Sequence, residues 1–181
     1  MESAESLEDW KNILLEEPDH ANKIYFDPES PFDEMREKNT VLHLAAHNFL
    51  GVASSILVPF LLENGGDPNT RNNNGDTSLH IAYQFGNRNI VACKALIEAG
   101  AKVNLQNASG NTPLHLACEA IHGDLEFIEI LIDAGADLNL RNKKGKTPIE
   151  LLAVHACVDY VSSFLDKLKG NQGKETGDRP R

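Results

Sequence analysis

The chain has 181 residues, of which 41% are hydrophobic and 24% are charged, so it is long enough to bury the core of one compact unit. Its net charge of -10 repels phosphate backbones, which argues against general nucleic-acid binding. The first residues lack the basic and apolar stretches of a Sec signal peptide, and no apolar run approaches the roughly 20 residues of a membrane span.

Residues 1–35 are predicted as an acidic N-terminal segment that consists of a capping helix and a connector. Apolar residues recur at helical spacing among its acids, at Leu7, Trp10, Ile13 and Leu14. This spacing indicates an amphipathic helix over residues 5–17. The prolines that follow it, and the lack of a periodic pattern, indicate an irregular connector.

Two short patterns then recur in register along residues 36–169. In the first, threonine is followed three residues later by histidine, and its copies begin at Thr40, Thr77, Thr112 and, with Glu150 in place of histidine, at Thr147. The second pattern starts with glycine and ends with asparagine, at 65–69, 100–104 and 135–139. Internal repeats of this length are typical of stacked repeat proteins.

The two patterns together resemble the ankyrin repeat. Asn111-Thr112-Pro113-Leu114-His115-Leu116-Ala117 and Gly135-Ala136-Asp137-Leu138-Asn139 carry the resemblance most fully. It implies an all-α fold with short hairpin loops, in which helix-turn-helix units stack into a solenoid. The units are expected at about 36–71, 72–106, 107–141 and 142–169.

Local chemistry explains several positions of the repeat. Threonine caps the first helix of each unit, and the histidine lies within reach of its hydroxyl. Thr147 and Glu150 instead form a capping box. Glycines are expected at positive φ where second helices end and where turns connect units, at Gly65, Gly75, Gly100, Gly110, Gly135 and Gly145. The apolar side of the second helix in unit two is predicted to contain Ile90, Val91, Ala95, Leu96 and Ile97.

The C-terminal end is predicted as a second cap and a tail. Apolar residues form one helical stripe there, at Val158, Val161, Phe164, Leu165 and Leu168. This pattern indicates a capping helix over residues 158–169. Residues 170–181 are polar and rich in glycine, which indicates a disordered tail.

The sequence predicts no catalytic residue, cofactor, metal or small-molecule substrate, and therefore a protein that is not an enzyme. His43, His80 and His115 occupy the repeat position, which favours a structural role over a catalytic one. His47 follows His43 at a spacing that suits a metal, but no third ligand lies nearby in sequence.

The three cysteines, Cys93, Cys118 and Cys157, lie in apolar stretches without a CxxC pair. They are predicted to be reduced core residues, and Cys118 lacks the base that a nucleophile needs. We therefore expect a cytoplasmic protein. A nuclear protein, or a pathogen protein in host cytoplasm, is left open.

The resemblance also implies a concave binding surface, made of hairpin tips and the inner face of the first helices. By position, the predicted partner-binding residues are His47, Asn48, Arg71, Asn73, Asn74, Asp76, Gln84, Phe85, Gln106, Ser109, Asn111, Glu119, Arg141, Lys143, Lys144 and Lys146. For Phe85, contact with a partner and packing against an inserted helical turn stay open. The basic run 141–146 is either an ordinary solvated loop or a contact for an acidic partner segment.

Three asparagines follow a leucine at a fixed spacing of eight residues, at Asn69, Asn104 and Asn139. In the ankyrin family this pattern resembles that of asparagines that become hydroxylated in eukaryotes. The alternative is that each asparagine braces its hairpin through hydrogen bonds.

These patterns predict a protein that binds another protein, without nucleic acid or membrane as a partner. The string from Gly75 to Ala82 is similar to inhibitor-of-NF-κB proteins, so the resemblance implies an inhibitor or regulator of a signalling or transcription factor. The alternative is a host-directed effector or adaptor of an intracellular bacterium or virus.

Overall fold

The computed structural model describes residues 39–47, 52–83, 89–119 and 125–155. Within them the helices are α1 (Val41–Ala46), α2 (Val52–Glu63), α3 (Ser78–Ile81), α4 (Ile90–Glu98), α5 (Pro113–Glu119), α6 (Leu125–Asp133) and α7 (Pro148–His155). The predicted capping helices, the connector and the C-terminal tail lie outside the described residues, as do Asn48, Gln84, Phe85 and Cys157.

The helices form pairs that stack in two layers. Helices α1, α3 and α5 pair with α2, α4 and α6 respectively. Along the stack, α1 contacts α3, α3 contacts α5 and α5 contacts α7, while α2 contacts α4 and α4 contacts α6. The first helices therefore form one layer and the second helices the other, which confirms the predicted all-α stack of helix-turn-helix units.

In the first three units, the first helix starts at a threonine that is bonded to the histidine three residues later. Thr40 Oγ1 lies 2.8 Å from His43 Nδ1, and the Thr40 amide donates to the same ring nitrogen at 3.2 Å. Thr112 and His115 repeat this geometry at 2.8 and 3.1 Å. The predicted contact between histidine and threonine is confirmed, and it satisfies backbone donors at the helix start.

The fourth unit closes its first helix with a carboxylate instead. The Thr147 amide donates to Glu150 Oε2 at 3.2 Å, and the Glu150 amide donates to Thr147 Oγ1 at 3.3 Å. This reciprocal pair is the predicted capping box. The hydrogen bond from the Thr147 amide lowers the pKa of Glu150, and the nearby Arg141 lowers it further.

The core lies between the two layers and is continuous from unit to unit. Leu61, Leu96 and Leu131 occupy the same position in successive second helices, and all three are fully buried. Tyr83 and Phe127 add an aromatic contact between units two and three, with ring centroids 4.7 Å apart. A helix pair alone cannot enclose such side chains, so stacking is required for burial.

One core prediction is wrong. Val91 was expected on the apolar side of α4, but half of its surface is exposed. Ala92 and Cys93 are buried in its place, together with the predicted Leu96. The reason is that Val91 lies one and two turns before the charged Lys94 and Glu98, so it falls on the exposed side of α4 that these residues mark.

All six glycines that were expected at positive φ have it, with values from 71° to 87°. Two of them differ in what surrounds them. A Cβ on Gly110 would lie 2.7 Å from the Lys143 backbone nitrogen in the next unit, whereas a Cβ on Gly145 would have nothing within 4 Å. Gly110 is thus required both by its own turn and by the close approach of the neighbouring turn.

We expect Gly110→Ala to destabilise the protein more than Gly145→Ala does. Both alanines must adopt positive φ, which costs about 1–2 kcal/mol, but only Ala at position 110 also displaces the next turn, at about 1–3 kcal/mol more. Urea unfolding of the two variants measures the difference. Equal losses of stability would show that the turns are not in close contact.

The start of α3 suggests a stabilising substitution. Ser78 is the first residue of α3, at the position that proline occupies in α5 and α7. Its side-chain oxygen is buried and has no hydrogen-bond partner among the described residues. Thr77, the preceding residue, already has the extended backbone that a following proline requires (φ -92°, ψ 167°).

Ser78→Pro is therefore expected to raise the free energy of unfolding by about 1 kcal/mol, because it restricts the unfolded chain and removes a buried unbonded hydroxyl. Ser78→Ala is the control, since it removes the hydroxyl alone. If proline proves less stable than alanine in urea unfolding, the account of the α3 start is wrong.

Candidate protein-binding surface

The three described hairpin tips (residues 71–76, 106–111 and 141–146, called the tips below) are each built around one asparagine. Asn72 Oδ1 accepts hydrogen bonds from the amides of Asn74 and Asp76 at 3.0 and 2.9 Å. Asn107 and Asn142 repeat the arrangement one and two units later. Such a side chain accepts hydrogen bonds from the backbone amides two and four residues later, and these bonds fix the turn locally.

The same asparagines also connect neighbouring tips. Asn107 Nδ2 donates to Asp76 Oδ1 at 2.7 Å, and Asn142 Nδ2 donates to Asn111 Oδ1 at 2.8 Å. These asparagines were not among the braces predicted from the sequence, although they recur there at 35-residue intervals. They hold each tip at a set distance from the next.

Backbone hydrogen bonds run from tip to tip as well. The Ala108 amide donates to the Asn74 carbonyl at 2.7 Å, and the Lys143 amide donates to the Ser109 carbonyl at 3.0 Å. The tips thus form a row whose main chain is braced both within each turn and between turns. Side chains on this row project from a backbone that is ordered before any partner arrives.

Below the tips, buried histidines make the same kind of connection. His43, His80 and His115 each place Nε2 3.0–3.1 Å from a carbonyl oxygen of the next unit, on Asp76, Asn111 and Lys146 respectively. Because Nδ1 accepts from the threonine amide, Nε2 carries the proton and donates. Each ring is therefore neutral and joins two units.

Two of these rings resist protonation. Burial lowers the pKa of His80 from 6.5 to about 4, although its bond to the Asn111 carbonyl raises it. Burial also lowers the pKa of His115. These shifts support a structural role for the histidines.

The predicted binding residues do not all lie on the surface. Asp76 is buried, and its carboxylate accepts from Asn107, so it lacks the exposed position that was predicted for it. Its burial depends on the adjacent unit, and its contact with a partner stays a prediction. Asn111 is half-buried, and its amide, carbonyl and side-chain oxygen all bond within the stack.

Residues 71, 106 and 141 occupy one position of the repeat and take part in the bracing. Arg71 Nη1 donates to the Gln106 carbonyl at 2.7 Å, and Gln106 Nε2 donates to the Arg141 carbonyl at 2.9 Å. Arg141 Nη1 donates to its own tip at Gly145 and forms an ion pair with Glu150 at 3.3 Å. Both arginines stay exposed, so they brace the row and remain accessible.

The remaining predicted tip residues are exposed, namely Asn73, Asn74, Ser109, Lys143, Lys144 and Lys146. His47 and Glu119 lie at the ends of α1 and α5 and are half-buried. The structure therefore brings the predicted tip residues together in one row. Their contact with a partner stays a prediction.

Every exposed charge on the three tips is positive. The tips contain one acid, Asp76, and it is buried. The exposed cations are Arg71, Arg141, Lys143, Lys144 and Lys146. On a chain with a net charge of -10, this row has the opposite sign to the protein as a whole.

Two of the asparagines considered for hydroxylation are structural braces. Asn69 donates to the Gly100 carbonyl at 3.3 Å and accepts from the Lys102 amide at 2.8 Å. Asn104 makes the equivalent bonds one unit later, to Gly135 and Asp137. Asn139 is exposed. The bracing interpretation is confirmed for Asn69 and Asn104, and hydroxylation of all three stays a prediction.

The described residues contain two buried thiols, Cys93 and Cys118. Burial raises the pKa of both to about 12, which does not suit a nucleophile. In the same ranges, no group of three or more histidine, cysteine or acidic side chains is placed to hold a metal ion. None of the described helices is both long and apolar enough to cross a bilayer.

Comparison with known families agrees with this architecture. A family model described as ankyrin repeats (3 copies) matches residues 12–107, 42–142 and 92–176. No curated protein matches the chain. Ankyrin repeats are typically a non-enzymatic scaffold for protein–protein interaction. Because the matches together extend over residues 12–176, the chain belongs to the ankyrin-repeat family.

Proposed function

We propose that this chain binds one partner protein across its row of tips and thereby regulates that partner. The observation that carries the proposal is the combination of exposed side chains with a braced backbone. Binding loses less conformational entropy when the contacting loops are already ordered, so more of the contact energy appears as affinity. The tips meet this condition through the asparagine bonds and the tip-to-tip backbone bonds.

The partner segment that we propose is acidic. Lys143, Lys144 and Lys146 extend from the last described tip, and no exposed acid on any described tip opposes them. A cationic surface of this kind accelerates encounter with an anionic segment and disfavours cationic partners. The middle tip has the neutral residues Ala108 and Ser109 at its exposed positions. The last described tip is therefore the main charged contact.

Within protein binding, we propose a stoichiometric inhibitor or regulator of a signalling or transcription factor, acting in the cytoplasm and without catalysis. The similarity of residues 75–82 to inhibitor-of-NF-κB proteins supports this choice. A host-directed effector or adaptor is the alternative. The identity of a captured partner separates the two.

Charge reversal on the last tip tests the proposal. Wild-type protein is used to capture the partner from cell lysate, and affinity for the purified partner is then measured for each variant. Lys144→Glu is expected to weaken binding by about fivefold or more, mainly through a slower association rate that becomes less sensitive to salt.

Lys102→Glu is the matched control, because Lys102 is also exposed and the change in charge is the same. It should alter affinity by less than about twofold, since it lies on none of the tips. Equal losses for the two variants would mean that net charge alone governs binding. No loss for Lys144→Glu would place the binding surface elsewhere.

A further inference from the structure

The layer of second helices has a groove that shares no residue with the tips. It lies between α4 and α6, has a volume of about 280 Å³ and is lined by Lys94, Ile97, Glu98, Ile130, Asp133 and Ala134. Ile97, Ile130 and Ala134 are half-buried and supply an apolar floor. The groove is open rather than enclosed, which suits a side chain of a partner segment better than a small molecule that must be largely buried.

The rim of the groove is negative. Glu98 and Asp133 are exposed and are the last residues of α4 and α6. A helix C-terminus already bears partial negative charge, so an acid there is unfavourable for the helix, and neither helix has a base in its last turn. Among the described residues, neither acid forms an ion pair.

Among the described residues that line the groove, Lys94 is the cation, so the lining has one positive and two negative charges. Lys94 Nζ lies 3.8 Å from Glu126 Oε1 on the neighbouring helix, and both side chains are largely exposed, so this ion pair is weak. The groove therefore combines an apolar floor with a net negative charge. Helix stability does not explain this arrangement, whereas complementarity to a cationic segment does.

We propose that the groove between α4 and α6 is a second docking surface, for a partner segment that presents an aliphatic side chain flanked by lysine or arginine. The aliphatic group would enter between Ile97 and Ile130, and the cations would lie beside Glu98 and Asp133. Because the groove and the tips have different residues and opposite charge, the protein can hold two unlike segments at once. This inference does not depend on the function proposed for the tips.

The probe for this surface is a synthetic amphipathic peptide of leucine and lysine, LKKLLKKLLKKL. The comparison peptide is an oligolysine of equal charge. The amphipathic peptide is expected to bind wild-type protein about tenfold more tightly, because the groove adds apolar contact to charge. Fluorescence anisotropy gives both affinities, and amide chemical-shift changes locate the bound peptide.

Two matched pairs of variants test the location. Asp133→Lys should weaken binding of the amphipathic peptide about tenfold, whereas Glu63→Lys, at the end of α2, should change it by less than about twofold. Ala134→Leu should weaken it by filling the groove, whereas Ala99→Leu, at the equivalent position after α4, should not. Asp133→Lys removes an acid from a helix end, so it is not expected to impair folding.

The result that supports the proposal is selective loss in Asp133→Lys and Ala134→Leu, with shift changes at Ile97 and Ile130. Equal binding of oligolysine, or equal effects within either pair, would overturn it, since general charge attraction would then suffice. Tight occupation of the groove by a peptide of residues 156–181, or by a second copy of the chain in sedimentation, would also overturn it. Unchanged peptide binding by Lys144→Glu separates this surface from the tips.

Discussion

The stack depends on buried imidazoles that must stay neutral. In His80, Nδ1 accepts from the amide that starts its own helix, which leaves only Nε2 to donate to the next unit. A proton on Nδ1 would face an N–H donor in a site that is buried from solvent. One side chain thus closes a helix and links two units, and three successive units use it in the same way.

The order of the tips depends on this link. Each histidine bonds the carbonyl that immediately precedes the threonine of the next unit, where a tip ends and a helix begins. The asparagines of the tips then fix the turns against one another. The stack depends on these asparagine side chains, whereas exposed tip residues such as Lys143 and Lys144 can vary without weakening it.

Sequence predicted those features that depend on contacts within one unit. The positive-φ glycines, the threonine–histidine contacts and the Thr147–Glu150 box all involve residues a few positions apart. It failed for Asp76, because a carboxylate at a hairpin tip is normally solvated and only the neighbouring Asn107 makes its burial favourable. Val91 was misplaced because the apolar residues of α4 were grouped without regard to Lys94 and Glu98, which share its exposed side. The groove between α4 and α6 could not be predicted, since two units together form it.

The most direct test of the neutral imidazole link is the pH dependence of stability for wild-type protein and His80→Gln. The pKa of His80 is about 4 in the folded protein, against 6.5 for an ordinary histidine in the unfolded chain. The contribution of His80 to stability is therefore complete above pH 6.5 and declines as the pH falls towards 4. The wild-type advantage in free energy of unfolding should therefore shrink by about 2 kcal/mol between about pH 7.5 and about pH 5. An advantage that is unchanged over this range would contradict the account, because the link would then not require a neutral ring.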